Sequence, residues 1–137
     1  MSDTLSMVVC SGTDDRLEAA AILIGGAAAI GRPVNVLLQF WALDAFRSAQ
    51  IDMDHGLGRD AGEPAARTVR ERAPGGRLPW AETLRQAKEL GEVRIRACSN
   101  SLDLLGVDRA EMDPLVDDVC GIASFLLEAE GGQIVFV

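Results

Sequence analysis

Short apolar runs of strand character alternate with helical patterns along the whole chain, and that alternation limits the fold more than any other feature. Residues 5–10 are an apolar run that ends at Ser11-Gly12-Thr13-Asp14-Asp15, a buried strand leading into a helix cap. From 17 to 30 apolar residues crowd nearly all round a helix, which must therefore be covered on several sides. Gly31-Arg32-Pro33 stops it, residues 34–40 form a second strand, and 41–46 look helical. Residues 53–78 are rich in Gly, Pro and Arg, with a helix expected over 64–73 and stopped by Pro74-Gly75-Gly76. An amphipathic helix follows over 79–90, with Gly91 at its end. Next come a strand over 93–98, a short leucine helix, a helix over 116–129 and a last strand over 133–137.

Strands that alternate with helices throughout imply a mainly parallel sheet covered on both faces. The expected outcome is an α/β, three-layer flavodoxin-like fold, a single domain over 1–137. Four strands are read directly, and 50–60 is the segment with room for a short fifth. A chain of 137 residues, 48% hydrophobic and 25% charged, buries a core without staples and is not disordered. The longest strongly apolar run, 19–30, is interrupted by Gly25 and Gly26 and is too short to span a bilayer. No membrane partner is expected.

The formal charge of -8 argues against nucleic-acid binding. Nine of the thirteen basic residues lie in 59–96 beside six acids, a local +3 that leaves -11 elsewhere. An anionic ligand or an acidic partner would suit that segment, as would plain solvation of an arginine-rich helix and loop. Three cysteines cannot all pair internally and lack disulfide-scaffold spacing, and no signal peptide is in view, so a cytoplasmic location is expected.

In sheets of this kind ligands bind beyond the carboxyl ends of the strands, and Cys98 falls at such an end. Val93-Arg94-Ile95-Arg96-Ala97-Cys98 alternates like a strand, and Ser99-Asn100-Ser101-Leu102 opens a helix. Cys98 is thus expected on a strand-to-helix turn, where backbone N–H groups and the helix dipole favour a thiolate. Ser99, Asn100 and Ser101 are candidate donors to it. Arg96 shares its strand face at about 7 Å, given roughly 3.3 Å per residue. Position alone leaves a buried inert thiol as open as a reactive one. Cys10, also at a strand end, is read as structural, and Cys120 as a small hydrophobe on an apolar helix face. His55 has no second ligand at metal spacing and reads as a surface residue, so no metal is expected. Asp14, Asp15, Asp117 and Asp118 read as helix caps. Gly56-Leu57-Gly58 lacks the spacing and preceding strand of a dinucleotide fingerprint, and no cofactor is implied.

Three segments together resemble the DsrE/DsrF-like family of small sulfur-handling proteins. Residues 26–31 (Gly-Ala-Ala-Ala-Ile-Gly) are similar to its small-residue helix end, and Phe40-Trp41-Ala42-Leu43 to its aromatic turn after the second strand. The specific segment is 97–106, Ala-Cys-Ser-Asn-Ser-Leu-Asp-Leu-Leu-Gly, which resembles the cysteine-bearing turn of one branch. The resemblance implies a flavodoxin-like fold, homo-oligomers built as trimers or hexamers, and sulfane sulfur carried as a persulfide on Cys98. It implies a sulfurtransferase that takes sulfur from a donor protein and yields it to an acceptor thiol. Members with a second cysteine shortly after the first have no match, since the next here is Cys120. The alternative from the same resemblance is a non-catalytic subunit or interaction scaffold of a sulfur-relay complex.

Overall fold

A computed structural model describes residues 3–137. Among these, β1 (Leu5–Val9), β2 (Val34–Leu38), β3 (Val93–Cys98), β4 (Asp118–Cys120) and β5 (Gln133–Phe136) form one sheet in the order β4-β3-β2-β1-β5. Every pairing is parallel. The helices are α1 (Asp14–Ala29), α2 (Phe40–Ala45), α3 (Glu63–Arg72), α4 (Trp80–Leu90), α5 (Ser99–Leu105) and α6 (Ile122–Glu128). This is the flavodoxin-like three-layer arrangement that the alternation predicts.

The continuous apolar runs become the inner strands because a parallel sheet is covered on both faces, and every residue of β1 is buried. On one face Met7, Val9, Val36, Leu38, Ile95 and Ala97 meet α1 through Leu17, Ala21 and Ile24, and α4 through Trp80, Leu84 and Ala87. Burial of a Leu or Ile side chain contributes roughly 1.5–3 kcal/mol, so this face carries most of the hydrophobic stabilisation. Phe46 stacks obliquely on Trp80, with ring centroids 5.1 Å apart. On the other face Val8, Leu37, Cys98 and Cys120 form a smaller cluster under Phe125 of α6. Two glycines fix turns next to the sheet's carboxyl edge. Gly106 ends α5 in the left-handed region at φ 66°, and a side chain on Gly12 would strike the carbonyl of Trp41.

Several expectations change. The helix expected over 116–129 is a short strand, a turn at Gly121, and the seven-residue α6. Asp117 sets that strand: its carboxylate accepts the Ile95 N–H at 2.8 Å, and its own N–H donates to the Ile95 carbonyl at 2.7 Å. Asp118 likewise lies in β4 rather than at a helix start. The fifth strand is therefore β4, and 50–60 holds none. That loop instead folds over α1: His55 N–H donates to Asp14 at 3.1 Å and Gly58 N–H to Asp15 at 3.0 Å. Asp14 also accepts the Trp80 indole N–H at 2.9 Å, so it ties α1, α4 and the loop together. His55 is only partly exposed, its ring tilted against Trp80 with 6.1 Å between ring centroids. Finally, α1 is covered on one side only: Ile22, Leu23 and Ile30 stand exposed.

Candidate functional site

Cys98 is the last residue of β3 and Cys120 the last of β4, and the two are register partners. Partners on adjacent strands point to the same face, with Cα atoms about 4.8 Å apart. Both thiols lie in the smaller core cluster, 3% and 6% exposed, and both are free. Cys120 donates its S–H to the Gly121 carbonyl at 3.2 Å. Cys120 is buried in the core, as expected, but it ends β4 rather than lying on a helix face, and the register puts it beside Cys98. The missed signal was Gly121, which breaks what otherwise reads as one apolar helix.

Arg96 joins them on the same face, two residues before Cys98, and is 4% exposed. A guanidinium is rarely buried without a carboxylate partner. Here the partner is Glu128 of α6, held in a fork: Nη1 donates to Oε1 at 3.2 Å and Nη2 to Oε2 at 2.6 Å. Arg94 approaches the same carboxylate at 3.9 Å. Burial lowers the Arg96 pKa, but the hydrogen bonds and negative charge of Glu128, with the nearby Asp118 carboxylate, outweigh it and hold it above the ordinary value. One donor is unused: Arg96 Nε is buried without a partner. The fork also fastens α6 over the two thiols, beside Phe125.

The remaining predicted residues take different places. Ser101 is buried, Ser99 half-buried and Asn100 exposed. The side chain of Cys98 makes no cap hydrogen bond to α5, and that helix has only seven residues, so its N-terminus contributes little to the sulfur. Arg96, directed to Glu128, lies within electrostatic reach of Cys120. Cys10 follows β1, with β2 between it and Cys98, roughly 10 Å of sheet. It is half-exposed, the most accessible of the three thiols. Phe40, where the chain leaves β2, has φ 44°, a strained value for a residue with a side chain, and with Trp41 it presents exposed aromatic surface at the carboxyl edge. In the basic segment Arg67, Arg70 and Arg72 of α3 are solvated.

No protein-family model matches the chain. It is 29% identical, over 94% of its length and 92% of the other's, to the uncharacterized protein YrkE of Bacillus subtilis (strain 168). It resembles the structure of MTH1491, a protein of unknown function from Methanobacterium thermoautotrophicum. The TM-score is 0.58 at 15% identity, over 99% of this chain and 100% of that one. It also resembles the ychN protein from E. coli, with a TM-score of 0.59 at 13% identity over 99% and 98% of the two chains. At these identities the two structures share the fold. No helix among the described residues is long and apolar enough to cross a membrane.

Proposed function

We propose that the chain is a sulfur-transfer protein of the DsrE/DsrF-like family that carries sulfane sulfur as a persulfide on Cys98. The observation that carries the reading is the placing of Cys98 at the carboxyl edge of the sheet, beside a second thiol and a buried guanidinium with an unpaired donor. In loading, the Cys98 thiolate attacks the outer sulfur of a donor persulfide, and the donor leaves as a thiolate. In delivery, an acceptor thiolate takes that outer sulfur and Cys98 leaves as a thiolate. Positive charge on Arg96 favours the sulfur anions of both steps. Cys98 is shielded by α6, so partners gain access when that short helix lifts. Donor and acceptor proteins, a cytoplasmic setting and a trimeric or hexameric homo-oligomer belong to the same proposal. Exposed Ile122, Leu126, Leu127, Ile134 and Phe136 are apolar surface for self-association.

The test is transfer. Protein, a small persulfide and an acceptor thiol are mixed together, and sulfur on the acceptor is followed. Cys98→Ala should reduce transfer to the rate seen without protein; undiminished transfer rejects the reading. The scaffold reading is favoured by one observation, the 3% exposure of Cys98. It predicts no loading at any concentration that leaves the protein folded.

A further inference from the structure

Two free thiols that end adjacent strands in register, next to a buried arginine, can do more than carry sulfur. Resting on the proposed persulfide at Cys98, we infer that Cys120 is a resolving thiol, which discharges a stranded persulfide as hydrogen sulfide and closes a Cys98–Cys120 disulfide. The chain would thus possess a second, reductive activity toward sulfane sulfur when no acceptor is present.

The geometry suits an exchange within one chain. Disulfides span Cα separations of about 4.4–6.8 Å, and register partners on neighbouring strands lie about 4.8 Å apart. Both residues are the last of their strands, so each backbone turns away immediately and can adjust: Cys98 caps α5 and Cys120 precedes the Gly121 turn. The turns pack together, since a Cβ on Gly121 would lie 3.9 Å from Ser99 Oγ. Cys10 cannot substitute without large movement, because β2 intervenes.

The chemistry balances without an external oxidant. Cys120, having lost its proton to solvent, attacks the inner sulfur, Sγ of Cys98. The bond between the two Cys98 sulfurs breaks, and the outer sulfur leaves as HS⁻ with the electron pair. The sulfane sulfur gains two electrons, and the two cysteine sulfurs supply one each as the disulfide forms. An external dithiol restores both thiols by exchange and is itself oxidised to a disulfide. Negative charge passes from Cys120 to the departing sulfide, and Arg96, with its unpaired Nε–H, is the adjacent cation.

Full-length reduced protein, its Cys120→Ser variant and a Cys10→Ser control are treated with glutathione persulfide and freed of excess reagent. Sulfide release is measured, and peptides are mapped by mass spectrometry without reduction. The inference expects sulfide release and a Cys98–Cys120 linked peptide from the native chain and from Cys10→Ser. In Cys120→Ser it expects a lasting gain of one sulfur on Cys98 and sulfide release at background. Equal discharge by Cys120→Ser, or a native disulfide through Cys10 or between chains, overturns the inference and leaves the carrier reading standing. A Cys98 that never loads in any of the proteins overturns both. Should Cys120→Ser misfold, diamide oxidation of the native protein decides: an intrachain Cys98–Cys120 link is required, and its absence rejects the resolving role.

Discussion

In the proposed reading Cys98 meets two demands at one position, packing in one cluster with Val8, Leu37 and Phe125 and chemistry at its sulfur. Serine is therefore no silent replacement, although a turn open to solvent would have accepted it. A hydroxyl left unpaired in that cluster costs about 1–3 kcal/mol, which lowers the melting temperature by several degrees in a domain of this size. Cys98→Ala omits the hydroxyl and leaves a small void. We expect Cys98→Ser and Cys98→Ala both to abolish persulfide loading, and Cys98→Ser to melt clearly below the native protein. Thermal melts and mass spectrometry check this together; a serine variant that melts like the native chain would mean that the sulfur is not enclosed. The position of Cys98 at the end of an alternating strand is legible in the sequence. The strand that ends at Cys120 is not, because three residues are too few to leave a period-2 signal among flanking apolar residues.

At the scale of elements, α6 is held to the body at two named points. Phe125 anchors it on the apolar side and the Arg96–Glu128 fork on the polar side. Hydrogen bonds to charged groups contribute about 1.5–3 kcal/mol; the lower end applies because Glu128 is 38% exposed. Glu128→Gln should loosen α6 and raise the native alkylation rates of Cys98 and Cys120 with iodoacetamide, leaving that of Cys10 unchanged. Unaltered rates at the two buried thiols would separate the fork from access. The same pair gives a pH dependence of known sign. Hydrogen bonds from Arg96, with the charges of Arg96 and Arg94, hold the Glu128 carboxyl below its ordinary 4.5 despite burial. A depressed folded value contributes stability above the unfolded value and loses it as pH falls through the folded one. The stability gap between native protein and Glu128→Gln, read from urea midpoints, should be present at neutral pH and close well below pH 4.5. Most elements could be read from the sequence because their apolar periods are long: α1, α4 and the inner strands carry the larger core. The segment 50–60 could not, because its order comes from the carboxylates of Asp14 and Asp15 and not from its own pattern.

The whole molecule is an all-parallel sheet with unequal faces, one well covered by α1 and α4, the other by the short α6. Exposed apolar side chains stand on α6 and β5, with a second group at Ile22, Leu23 and Ile30 on α1. We expect a closed homo-oligomer, and light scattering at micromolar concentration checks it; a monomer would contradict the expectation. Leu127→Asp, a charge on an exposed apolar side chain, should dissociate the assembly if α6 forms the interface and leave the fold intact. The proposed chemistry is more local than this: sulfur is held on one residue of three. Site-resolved mass spectrometry of the native protein after incubation with a persulfide donor, under conditions that trap persulfides at once, tests it most directly. A gain of one sulfur on Cys98, or the Cys98–Cys120 link that its discharge leaves behind, with Cys10 unmodified, is the predicted result. Neither product, or equal adducts on the three cysteines, would contradict this reading.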